Sequence, residues 1–92
     1  MKIVLNKDFG GFSLSKEAYK FLGKEWDGYG FDFDKMRTDE KLIECVETLG
    51  KKASGFCADL EVIEIPDNSF YEIDEYDGLE TIYYSNSEIN VK

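Results

Sequence analysis

Glu72, Asp74, Glu75 and Glu80 flank the dipeptide Asp77-Gly78, and this group of carboxylates is the densest chemistry in the chain. Carboxylates can bind cations or exchange protons. Nothing in the pattern isolates two of them as an acid–base pair, and no histidine is present to serve as a general base or metal ligand. Asp32-Phe33-Asp34, with Asp39-Glu40 nearby, offers alternate oxygens of the kind that hold Ca²⁺ or Mg²⁺. A calcium loop also needs a third ligand two residues on, and position 36 is Met, so the segment reads as a solvated loop. Cys45 and Cys57 have no candidate base partner and lie in apolar or acidic surroundings, which raise a thiol pKa. They read as two reduced, part-buried thiols. The expectation is a chain without catalytic residues, metal site or cofactor.

The charge distribution turns the acidic group into a binding argument. Residues 1–52 carry ten Lys/Arg and ten Asp/Glu, whereas residues 53–91 carry ten Asp/Glu and no cation. The whole net charge of −9 therefore sits on one contiguous segment. Such a surface attracts cationic partners and repels nucleic acid and anionic membranes. The expected partner is a basic or nucleic-acid-binding protein. The residues singled out for contact are Glu72, Asp74, Glu75, Glu80 and Tyr83. A mimic of nucleic acid, with carboxylates spaced like phosphates, is a special case. The competing reading is an edge kept acidic for solubility and against strand pairing.

A second candidate is Phe9-Gly10-Gly11-Phe12-Ser13, a glycine turn between a strand and a helix start, which can offer N–H groups to a phosphate. It lacks both the Walker ending and the dinucleotide glycine spacing. With the aromatic loop at 26–33 it defines an alternative function, a nucleotide-type small-molecule binder or sponge. Its residues would be Gly10, Gly11, Ser13, Trp26 and Tyr29.

The elements that must position these groups follow from periodicity. Residues 2–6 form a β-branched apolar run and read as a buried strand. Ser13 or Ser15 caps a helix carrying Leu14, Ala18, Phe21 and Leu22, and Gly23 stops it. Residues 24–37 have no helical period and read as a loop with a short strand at 29–33. Thr38 caps a second helix whose apolar face is Leu42, Ile43, Val46 and Leu49, ended by Gly50, with Lys51 and Lys52 at its negative pole. Residues 56–65 read as a strand whose change of apolar phase implies either a bulge or cover on both faces. Asp77-Gly78 predicts a two-residue hairpin turn pairing Tyr76 with Leu79, Glu75 with Glu80, Ile73 with Ile82 and Tyr71 with Tyr84. Tyr71, Ile73, Ile82 and Tyr84 would cover the core. Glu75 opposite Glu80 would repel, with no cation nearby in sequence. Residues 85–92 would form a last edge strand or fray.

The sum is α+β: two helices packed on one face of a small, mainly antiparallel sheet, in the order β-α-α-β-β-β and one compact domain over 1–92. Neither a membrane-spanning stretch nor a signal-peptide core is visible, which predicts a cytoplasmic setting.

The chain is similar to a group of small, mostly uncharacterised proteins of bacteriophages and prophages. The shared features are Lys2-Ile3-Val4-Leu5-Asn6 followed by Gly10-Gly11-Phe12 and Leu14-Ser15, Arg37 ahead of Leu42-Ile43, Val46-Glu47 and Leu49-Gly50, Ala53-Ser54-Gly55, Ile63-Glu64-Ile65-Pro66-Asp67 and Glu75-Tyr76-Asp77-Gly78. The resemblance implies a viral origin and an accessory role outside the virion; joined to the acidic face, the expectation is a binder of a host protein in the host cytoplasm, with inhibition of a nucleic-acid-binding defence protein or host enzyme as one form of it. It carries over no functional residue.

Overall fold

In the computed structural model, residues 1–28, 30 and 36–86 are described. The chain runs β1 (Lys2–Asn6), α1 (Lys16–Leu22), α2 (Glu40–Leu49), a 3-10 turn (Gly50–Ala53), β2 (Leu60–Glu64), β3 (Ser69–Tyr76) and β4 (Leu79–Asn86). The fold is α+β, in the order that the periodicity predicts. The short strand expected at 29–33 and the last edge strand beyond Asn86 lie outside the described residues.

The strands do not form one sheet. β1 pairs antiparallel with β2, from Lys2↔Glu64 to Asn6↔Leu60, and β3 pairs separately with β4. β1 is buried from Ile3 to Asn6 because α2 covers one face of its sheet, and α1 packs on α2. Val4, Leu14, Tyr19, Leu42, Cys45 and Leu60 are central to the core. A core of this size leaves little stability margin, so each buried contact counts.

The helix boundaries follow from side-chain caps. Ser15 Oγ accepts from Ala18 N at 3.0 Å and donates to Lys52 O at 2.5 Å, so it caps α1 and ties it to the 3-10 turn. Gly23 stops α1 in the left-handed region at φ 73°. The α2 cap is Asp39 rather than Thr38, with Asp39 Oδ1 accepting from Leu42 N at 3.0 Å. Lys51 and Lys52 belong to the 3-10 turn and not to α2.

β2 is shorter than the apolar run suggests. Phe56 and Cys57 form a turn, closed by Ala58 N donating to Gly55 O, in which Cys57 has φ 64° and Phe56 is 95% exposed. Cys57 is therefore exposed rather than part-buried, whereas Cys45 is fully buried in α2, and both thiols are free. The register with β1 is continuous, so the apolar residues on both faces of β2 reflect partial cover on both sides and not a bulge.

Candidate protein-binding surface

The β3–β4 hairpin has the register expected from its turn, with Tyr76↔Leu79, Glu75↔Glu80, Ile73↔Ile82 and Tyr71↔Tyr84 among its pairs. Asp77 and Gly78 both have positive φ, at 51° and 92°. What the sequence does not reveal is how the hairpin attaches. Its main contact with the other described elements is β4 against β1, at the turn end. Asp77 O accepts from Gly10 N at 3.1 Å, and Gly78 O accepts from the Asn6 side-chain amide at 2.7 Å. A Cβ on Gly78 would overlap the backbone nitrogens of Gly10 and Gly11, so only glycine permits this approach.

Asn6 is the hub of that junction. Its Nδ2 donates to Asp8 O at 2.8 Å as well as to Gly78 O, and its Oδ1 accepts from Asp59 N at 2.9 Å. Its backbone N donates to Glu80 Oε1 at 2.7 Å. One buried amide thus binds β1, the entry to β2 and the hairpin turn together. Sequence reading missed it, because an Asn closing a strand looks like any other turn residue.

Glu80 is not on the exposed acidic face. It is 5% exposed and forms a two-pronged ion pair with Arg37, Nη1–Oε1 2.5 Å and Nη2–Oε2 2.7 Å. Arg37 also donates to Val4 O at 3.3 Å, and its guanidinium lies 4.1 Å from the centre of the Phe12 ring. The expected repulsion between Glu75 and Glu80 is thereby removed. Glu80 finds its cation in the other half of the chain, and Glu75 Oε2 accepts from Gly78 N at 2.5 Å. Glu80, expected among the contact residues, is instead a buried structural group.

Beyond the junction, most of the hairpin's side chains are exposed. Glu72, Asp74, Glu75 and Tyr83 are exposed. Tyr71 and Tyr84 are exposed too, rather than covering the core, and Ile73 and Ile82 are only half-buried. Phe70 is 64% and Tyr83 60% exposed. Phe70, Tyr71, Glu72, Tyr83, Tyr84 and Ser85 line an open groove of about 310 Å³ at the far end. The hairpin cannot cover the core because its turn end, not its face, is the part docked on β1. Aromatic rings beside carboxylates, with no cation on either strand, suit the recognition of Arg or Lys side chains by ion pairing and by stacking on the rings.

The residues of the alternative site meet in part. Gly10, Ser13 and Trp26 share a groove of about 380 Å³ with Ser15, Lys16 and Phe56. Trp26 packs edge-on against Tyr19 at 5.1 Å. Gly11 is not among the groove's lining residues, and Tyr29 lies outside the described residues. The Gly10 N–H is already given to Asp77 O, so Gly10 holds the hairpin rather than presenting a free donor.

No protein-family model matches the chain, and neither a curated protein nor a solved structure matches it. Asp32 and Asp34 fall outside the described residues. Among the described residues there is no cluster of three His, Cys, Asp or Glu able to hold a metal ion, and no helix is long and apolar enough to cross a membrane.

Proposed function

We propose that this chain is a phage-encoded accessory protein that binds a cationic host protein through its acidic, aromatic hairpin, acting by occupation rather than by catalysis. The observation that carries this reading is the exposed far end of the hairpin. Glu72 stands there with Phe70, Tyr71, Tyr83 and Tyr84, exposed Asp74 lies nearer the turn, and residues 53–91 hold no Lys or Arg. Large exposed aromatic patches on a small domain mark interaction sites, and buried aromatic anchors carry most of the energy in protein interfaces. A basic, nucleic-acid-binding host protein offers the matching Arg and Lys side chains, and covering its basic surface would inhibit it.

The test is the triple variant Glu72→Gln, Asp74→Asn, Glu75→Gln, with Glu80 left intact because it is structural. Partners captured from bacterial lysate by the wild-type chain are purified and their association rates measured at low and high salt. The expected result is slower association of the variant and a flatter salt dependence, since such charges act mainly on encounter. A folded variant that associates at the wild-type rate at both salts overturns the reading.

The groove holding Gly10, Ser13 and Trp26 favours a second reading, a small-molecule binder, with Lys16 as its cation. A nucleotide screen by thermal shift tests it. A ligand at 100 times its Kd would stabilise the chain by about 2.7 kcal/mol. With the Gly10 N–H engaged, the expected result is no shift.

A further inference from the structure

Among the described residues, β4 is paired along one edge and is met on the other only at its start. On one side it pairs with β3 along its whole length. On the other, β1 lies beside its first residues, where Glu80 reaches Asn6 N and Arg37. From Thr81 onward no described strand pairs with that side. The two-residue turn makes Tyr76↔Leu79 the closing hydrogen-bonded pair. By alternation, the backbone N–H and C=O of Ile82 and Tyr84 then point away from β3.

Natural sheets guard an open edge with Lys, Pro, a bulge or a charge. The β4 stretch Thr81-Ile82-Tyr83-Tyr84-Ser85 contains no charge and no Pro, and its register has no bulge. β3 is different: Glu72, Asp74 and Glu75 would set like charges against any second copy pairing there. A two-stranded hairpin alone is marginal in water, and three or more strands are needed for stability.

The geometry points to a two-fold dimer in which β4 of one copy pairs antiparallel with β4 of a second. The strand is self-complementary when the axis passes at Tyr83. Tyr83 then faces Tyr83 of the second copy, Ile82 faces Tyr84, and Thr81 faces Ser85. These are aromatic–aromatic, β-branched–aromatic and hydroxyl pairs, the favourable cross-strand combinations. Ile82 and Tyr84 supply the outward hydrogen-bonding groups, so this register also satisfies the ladder. Sliding toward the turn would bring Glu80 into the pairing, and Glu80 is held under β1. The result is a four-stranded sheet in the order β3-β4-β4-β3, with the acidic β3 strands on the two outer edges. This assembly stands whether or not the partner proposed above is cationic.

Sedimentation and light scattering of the full chain at tens of micromolar should give about twice the 10.6 kDa chain mass. Ile82→Pro removes an N–H that faces away from β3, and should leave a folded monomer by circular dichroism. Tyr83→Cys in a Cys57→Ser background should join two copies under a mild oxidant such as copper phenanthroline. Residues facing across a non-hydrogen-bonded pair have Cα atoms about 4.5 Å apart, within disulfide reach. Tyr71→Cys, on β3 in the same background, should stay uncrosslinked. A monomeric wild-type chain overturns the proposal. So does a dimer that survives Ile82→Pro in folded form, or one that crosslinks through Tyr71→Cys and not through Tyr83→Cys. Where Ile82→Pro fails to fold, the two cysteine variants decide the question.

Discussion

Arg37 and Glu80, separated by 43 positions in the chain, form a buried two-pronged ion pair with both oxygens of Glu80 engaged. Arg37 lies just ahead of α2 and Glu80 is the second residue of β4, so this pair fastens the hairpin to the helical half of the molecule. Its other contacts, Asn6 N on the carboxylate and Phe12 under the guanidinium, fix both groups in place.

Neutralising one partner should therefore be costly. Glu80→Gln takes the charged carboxylate out of a buried ion pair, and should lose about 3 kcal/mol by denaturant unfolding. Glu72→Gln, at an exposed position of the same hairpin, should change stability by less than about 0.5 kcal/mol. The double variant Arg37→Met, Glu80→Leu should lose less than the two single changes added, because they share one interaction.

Asn6→Ala should destabilise the chain by roughly 2–4 kcal/mol, because Gly78 O, Asp8 O and Asp59 N all lose a partner in a buried junction. Hydrogen exchange should show the loss at the hairpin turn and at the entry to β2 together. Loss confined to β1 would contradict the hub role.

Gly78→Val should cost more than the roughly 1–3 kcal/mol of a strained positive φ, since its side chain would also strike the Gly10–Gly11 backbone. The hairpin should detach rather than merely lose its turn. Tyr71 and Tyr84 were already exposed, so the new exchange should appear at Asn6 and Gly10.

Burial pushes the Cys45 thiol up to about 11, from an ordinary 9.0. The raised value means that folding favours the protonated form. Its contribution to stability is complete below about pH 9 and is lost as pH rises toward 11. At pH 8 a thiol reagent should therefore label Cys57 quickly, with Cys45 reacting only on unfolding. Equal labelling of both thiols in the native chain would show that the α2 core opens.

The hairpin register was legible from the sequence because Asp77-Gly78 accepts positive φ and the alternation on each side is local. The same holds for the α1 stop at Gly23 and for Ser15, named as one of two caps. The cap of α2 went to Asp39 instead of Thr38, a one-residue shift among neighbouring side chains that can all accept the same N–H. The buried strand at β1 followed from its β-branched run. Charge segregation, and with it the class of partner proposed, also came from composition alone.

Tertiary structure alone decided which acids face solvent. Glu72 and Glu80 look alike in sequence, yet Glu80 lies under β1 because Arg37 and Asn6 N are there to pair with it. That pairing depends on where two distant segments meet, which no local period encodes. The division into two sheets has the same origin. Phe56 and Cys57 turn instead of extending β2, and the hairpin docks by its glycine turn, where a missing Cβ admits the Gly10–Gly11 backbone. Periodicity says which residues share a face of an element. Only packing between remote parts of the chain says whether that face meets the core or water.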